Sequence, residues 1–99
     1  MRHLERGERV EALEAWLRDI REGIEKREWS LKNMRLEMAR LRLRIDVFGE
    51  DDLSREEIQR LDSTLPNRIG KLEDEIRRFQ VRLTAIEVWA AEQKRQSAP

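Results

Sequence analysis

The sequence predicts an all-α fold: an antiparallel two-helix coiled-coil hairpin, its second helix kinked or broken near Pro66, with two hairpins assembled into a four-helix dimer. Three observations carry this. First, Val10, Leu13, Leu17, Ile20, Ile24, Leu31, Met34, Met38, Leu41, Ile45 and Phe48 recur at alternating steps of three and four, with only Arg27 intruding. Second, after Gly49-Glu50-Asp51-Asp52 the pattern restarts as Ile58, Leu65, Ile69, Leu72, Ile76, Phe79, Leu83, Ile86 and Ala90. Apolar residues every ~3.5 positions form a seam that buries only against another helix. Third, folding the chain about that short break matches the two stripes layer by layer. Ile45 then faces Ile58, Met38 faces Leu65, Leu31 faces Leu72, Ile24 faces Phe79, Leu17 faces Ile86 and Leu13 faces Ala90. A connection this short makes the helices antiparallel neighbours.

Residues 1–7 lie outside the seam, and a frayed N-terminus is expected there. Helix 1 should run from about residue 8 to 48, roughly 60 Å at ~1.5 Å per residue. Gly23 falls inside it at a cost of about 1 kcal/mol relative to alanine, but the stripe keeps phase on both sides. Gly49 is the expected stop, in a left-handed C-cap conformation. Asp51 and Asp52 suit a turn over 49–53. Ser54-Arg55-Glu56-Glu57 matches a capping box, in which hydroxyl and carboxylate each satisfy an exposed backbone N–H.

Helix 2 is expected over about 54–95, followed by a disordered tail at 96–99. Its difficulty is Pro66, which removes a backbone donor and biases Leu65 away from helical angles. Either one continuous helix kinks near 62–66, or a short helix over 54–63 precedes a long one. The seven-residue spacing of Ile58, Leu65 and Leu72 favours the first. Asp62 falls on the core stripe just before the proline, and it and Arg27 are expected to fix the register. Arg27 lands beside Ile76 and near Glu75, so its stem can pack while its head reaches the carboxylate.

Composition bounds the function. The chain has 99 residues, enough for one domain; 42% are charged and 5% aromatic, the profile of long helices. A sustained apolar period argues against disorder. The 21 basic and 21 acidic residues cancel, so no global charge draws the chain to nucleic acid or an anionic membrane. Cysteine is absent, which excludes disulfides and thiolate metal sites. No apolar run reaches the ~18–20 residues of a membrane span, and no signal region follows the first residues, so a cytoplasmic protein is expected.

Chemistry-bearing patterns are weak. Glu8, Glu11 and Glu14, then Glu22 and Glu25, have the Glu-x-x-Glu spacing of helical carboxylate sites. Such sites need inward carboxylates and usually a Glu-x-x-His pair. These positions face outward and His3 is the sole histidine, so a solvated charged face is expected instead. Ser30, Ser54, Ser63 and Ser97 have no histidine base within reach of the fold. No catalytic residue, metal or cofactor is expected.

Nine large apolar residues fall off the seam: Trp16, Trp29, Leu36, Leu43, Val47, Leu61, Val81, Val88 and Trp89. Trp29, Leu36 and Leu43 are spaced by seven directly opposite the seam, and Val47 extends the line by a turn. They are the expected self-association surface. Val81 and Val88 take the same outward position on helix 2, with Trp89 and Ala85 beside them, and are the expected docking site for another protein. Trp16 and Trp89 share a flank at the open end, where they are expected to bury each other over the seam. The expected function is a non-catalytic protein–protein interaction module, a self-associating hairpin serving as adaptor, scaffold or chaperone-like subunit. The alternative is a small nucleic-acid-associated protein using basic helix faces such as Lys71, Arg77, Arg78 and Arg82. Acidic residues 73–75 interrupt that strip, so nucleic acid is not the expected partner.

Overall fold

The computed structural model describes residues 6–97, and the expectations for residues 1–5, 98 and 99 lie outside them. The described chain is all-helical: α1 (Arg6–Phe48), a 3-10 turn (Glu50–Asp52), α2 (Arg55–Gln59), a π-turn (Arg60–Thr64) and α3 (Leu65–Ser97). Helix α1 begins at Arg6 and α3 runs through Ser97, each two residues beyond the expected limits, so the stretch 96–97, expected as disordered tail, is helical. Forty-three residues of α1 make about 65 Å at ~1.5 Å per residue, which accounts for the 70 Å length of the molecule.

The seam closes in two clusters. Away from the turn, Ile20, Ile24, Leu31, Ile76 and Ile86 are buried, with Leu13, Leu17, Ile69, Leu72, Phe79 and Leu83 packed against them. Near the turn, Leu41, Leu53, Leu61 and Leu65 are buried, with Met34, Met38 and Ile45 beside them. Leu65 is the one described side chain fully removed from solvent, at 0% exposure. Residues 17 and 86, 24 and 79, 31 and 72, and 38 and 65 thus share clusters as their spacing implied. Arg27 also sits as expected. Its Nε donates to Glu75 Oε2 at 2.8 Å, its Nη1 donates to the Gly23 carbonyl at 3.1 Å, and its guanidinium carbon lies 4.4 Å from the centre of the Phe79 ring.

The chain stays helical past Pro66, and the adjustment that permits this is the π-turn. Proline offers no N–H, so in α-helical register the carbonyl four residues earlier loses its donor. Here the turn ahead of it widens: the Leu65 N–H donates to the Arg60 carbonyl, five residues back. Each residue of the wider turn advances the chain by less than the α-helical ~100°. Leu61 therefore rotates into the seam, while Asp62 and Ile58 rotate out of it. This corrects three expectations. Leu61 is core, not an outward residue; Asp62 is exposed and marks no core register; and Ile58 is exposed instead of facing Ile45. Leu53, folded in from the turn, covers the last layer in place of Ile58. Phe48, expected on the seam, is 71% exposed because it lies past that final layer.

The turn itself is tightly specified. Gly49 has φ 90° and ψ 165°, so its φ is positive as expected but its ψ is extended rather than left-handed helical. Its N–H closes α1 on the Ile45 carbonyl at 2.7 Å. The capping box forms: Glu57 N–H donates to Ser54 Oγ at 3.1 Å, and Ser54 N–H donates to Glu57 Oε1 at 3.0 Å. Arg44 then crosses from α1, donating to Asp52 Oδ2 at 3.0 Å, to the Asp52 carbonyl at 2.9 Å and to the Glu57 carboxylate. Arg60 makes a two-pronged pair back to Glu37, with Nη2 to Oε2 at 2.8 Å. Opposite charges at flanking positions of antiparallel helices were the available sequence signal for these two networks.

Both carboxylates respond to their donors. The Ser54 backbone N–H, followed by Arg44, holds Glu57 below the ordinary carboxylate range, and the Arg60 guanidinium does the same for Glu37. A lowered pKa in the folded state means the unfolded chain binds the proton more readily, so stability falls as pH falls. The stabilisation should be complete above the ordinary glutamate value of about 4.3 and lost as pH drops through and below it. Melting curves recorded across that window should fall more steeply for the native chain than for a Glu37→Gln, Glu57→Gln double variant. Parallel curves would show that these pairs are energetically silent.

Candidate functional site

The features that the hairpin leaves unsatisfied among the described residues are apolar. On α1, Trp29 is 69% exposed, and Leu36, Leu43 and Val47 are exposed along the same line. An α-helix brings residues seven apart back to nearly one face, so these four form a stripe of about 27 Å, five turns long. Two open depressions lie beside it, one lined by Glu25, Lys26, Trp29 and Ser30, the other including Leu31, Lys32 and Leu36. Around the stripe, Lys32 and Arg40 are exposed and make no ion pair among the described residues. Of arginines 40, 42 and 44, Arg44 alone is engaged among the described residues, by Glu57 and Asp52.

On α3, Val81 and Val88 are likewise exposed on one line, with Trp89 on its flank. The structure therefore leaves both predicted stripes open to solvent, on opposite sides of the hairpin. It does not bring Trp16 and Trp89 into a buried pair. Trp16 is 55% exposed and Trp89 46%, which corrects the expectation that they seal the open end. Both occupy flanks beside the seam. There Leu13, Leu17, Leu83 and Ile86 already fill the space between the helices, and a two-helix fold has no third element to lay over a flank.

Charge pairs set the alignment of the two long helices. Arg21–Glu87 at 3.2 Å, Arg27–Glu75 at 2.8 Å and Arg35–Glu73 at 3.4 Å link α1 to α3. Exposed pairs of this kind contribute at most about 1 kcal/mol each, so they select a register more than they hold the fold. The expected carboxylate face, Glu8, Glu11, Glu14, Glu22 and Glu25, is exposed. Among the described residues no three His, Asp or Glu side chains converge as a metal site requires, and no helix is long and apolar enough to cross a membrane. No protein-family model, curated protein or solved structure matches the chain.

Proposed function

We propose that the chain is a non-catalytic protein–protein interaction module: a helical hairpin that pairs with a second copy through α1 and presents α3 to a further protein. The observation that supports this is the exposed stripe of Trp29, Leu36, Leu43 and Val47. Four large apolar side chains in one line on a short hairpin exceed the scattered exposure that needs no explanation. A two-fold contact must be self-complementary. With even spacing about Leu36, an antiparallel copy sets Trp29 of each protomer against Leu43 of the other, and Leu36 against itself. The dimer is then a four-helix assembly with the two α1 helices at its centre. A hairpin of this size buries a small fraction of its surface alone, which adds to the drive for association.

Leu36→Glu tests this. The substitution sets two like charges at the two-fold axis, and it should convert a dimer to a monomer in sedimentation while leaving the helical circular dichroism in place. Trp29 emission in the native chain should shift to the red on dilution, as water reaches the indole. A Leu36→Glu variant that still sediments as a dimer would place the interface elsewhere and remove the support for α1.

A further inference from the structure

The outward face of α3 is acidic at one end, basic at the other and apolar between. Asp74, Val81, Val88 and Arg95 recur every seven residues on the line directly opposite the seam, and all are exposed. Arg77, Thr84 and Ala91 run along one side of that line, and Arg78, Ala85 and Glu92 along the other, likewise exposed. Arg78, Glu92 and Arg95 make no ion pair among the described residues. Asp74 has only a loose contact with Arg77, at 3.8 Å, with both side chains largely in water. A line that changes sign from end to end about a central apolar pair is complementary to itself reversed.

We infer that this face pairs with the same face of a second copy, antiparallel, about a two-fold axis between Thr84 and Ala85. This names the protein that α3 receives; it rests on the reading of the chain as an interaction module, though not on the dimer through α1. The two-fold sets Val81 of each copy against Val88 of the other, and Asp74 against Arg95 at both ends. The axis also keeps each flank on its own side, so Arg78 meets Glu92 of the second copy, while Arg77 lies beside Ala91. Farther out, Arg82 of each copy reaches the exposed Trp89 of the other, whose indole face attracts a guanidinium. Thr84 and Ala85 at the axis are small enough for the helices to approach to the usual ~8–10 Å. The contact from Asp74 to Arg95 is about 31 Å long at ~1.5 Å per residue. Other arrangements fit worse. A parallel copy sets Asp74 against Asp74 and Arg95 against Arg95, and a slip of one heptad sets Val88 against Asp74 or Val81 against Arg95. A phosphate backbone gains nothing from covering the valines and is repelled by Asp74 and Glu92. Two valines offer less apolar surface than Trp29, Leu36, Leu43 and Val47, so this contact is the weaker of the two and forms at higher concentration. Because the stripes lie on opposite sides of the hairpin, pairs joined through α1 are then extended through α3.

The test uses the full chain carrying Leu36→Glu, which removes the α1 contact, sedimented over a concentration series. It should be a monomer where the native chain is a dimer, and should pair when concentrated further. Asp74→Arg alone, or Arg95→Asp alone, places like charges at both ends of the pair and should weaken that pairing about tenfold or more. Mixed together, the two variants restore opposite charges at both ends, and the mixture should associate as well as the Leu36→Glu chain itself. Circular dichroism confirms that each variant, changed only at exposed positions, remains helical. The chain has no cysteine, so Ala85→Cys supplies a second readout. A short bismaleimide should link two such chains across the axis, and should not link chains carrying Asp19→Cys on the outward side of α1. A mixture that associates no better than either variant alone, or an Ala85→Cys chain that does not link, would overturn the inference. The two readings fail separately. A Leu36→Glu chain that is monomeric at every concentration removes this contact and leaves the α1 interface standing. One that pairs as tightly as the native chain, and still shows the rescue on mixing, removes only the α1 interface.

Discussion

Replacing Leu65 with alanine is expected to cost the hairpin about 2–5 kcal/mol, the range for deleting a sealed core leucine. Leu65 has 0% exposure and sits where the π-turn hands over to α3, in the cluster with Leu41, Leu53 and Leu61. Two-helix packing has no spare layer that could collapse into the vacated space, which argues for the upper part of the range. Small domains have only about 5–15 kcal/mol of stability in total, so the variant should lose much of its folded population. Urea titration followed by circular dichroism should show the midpoint falling by roughly 1 M or more, given a slope of about 1–3 kcal/mol per molar. Val81→Ala, an exposed site, should move it little. If the two variants unfold alike, the cluster around Leu65 does not hold the turn end together.

Gly49 should give the second large effect, and with an unusual signature. Its φ of 90° and ψ of 165° lie in a region that L side chains rarely occupy, yet an added Cβ would meet nothing within 4 Å. The penalty for Gly49→Ala is therefore one of backbone conformation, about 1–3 kcal/mol, with no steric contact to relieve. Chirality provides the control. D-alanine at this position finds the same angles near the edge of its own extended region. It should not merely avoid the loss but stabilise the fold by about 0.4–1 kcal/mol, by narrowing the unfolded ensemble. Both proteins are within reach of chemical synthesis, and thermal unfolding of the pair should place them on opposite sides of the native chain. A destabilisation of equal size in both would show that contact, not chirality, governs the site.

Much of the fold was legible because its determinants are local or periodic. The seam of α1 needs only the spacing from Leu13 to Ile45, and the start of α2 needs only Ser54 and Glu57. Arg27 could be placed against Glu75 because antiparallel pairing fixes which flank faces which. What escaped were features set by small phase changes. Heptad spacing from Ile58 through Leu65 to Ile69 puts Asp62 on the core stripe and leaves Leu61 off it. The π-turn before Pro66 chooses Leu61. The burial of Leu53 depends on how the turn doubles back, which a heptad pattern does not encode. Trp16 and Trp89 were misjudged for a different reason: a shared flank brings two indoles to the same side, but burial needs something laid over them. The candidate surfaces were read from the same periodicity, and their exposure follows from it directly, since the position opposite a seam cannot be reached by the one helix that closes it.

The tip and the open end of the hairpin differ in the length of chain each contact encloses. Arg44 reaches partners only 8 and 13 residues away, whereas Arg21 and Glu87 are separated by 66. Closing a longer loop costs more entropy, and contacts close in sequence form first. Assembly is thus directional, a zipper that starts at the Ser54 cap and runs toward Trp16 and Trp89, and spontaneous opening runs the other way. Amide hydrogen exchange should grade along the rod, slow around Leu41 and Leu65 and fast beyond Leu17 and Ile86. Leu36, Leu43 and Val47 lie toward the durable half, while Val88 and Trp89 lie where the zipper loosens. Anything that grips Val88 and Trp89 in their helical spacing draws its affinity partly from fastening those last teeth, so occupancy of α3 and closure of the open end rise and fall together.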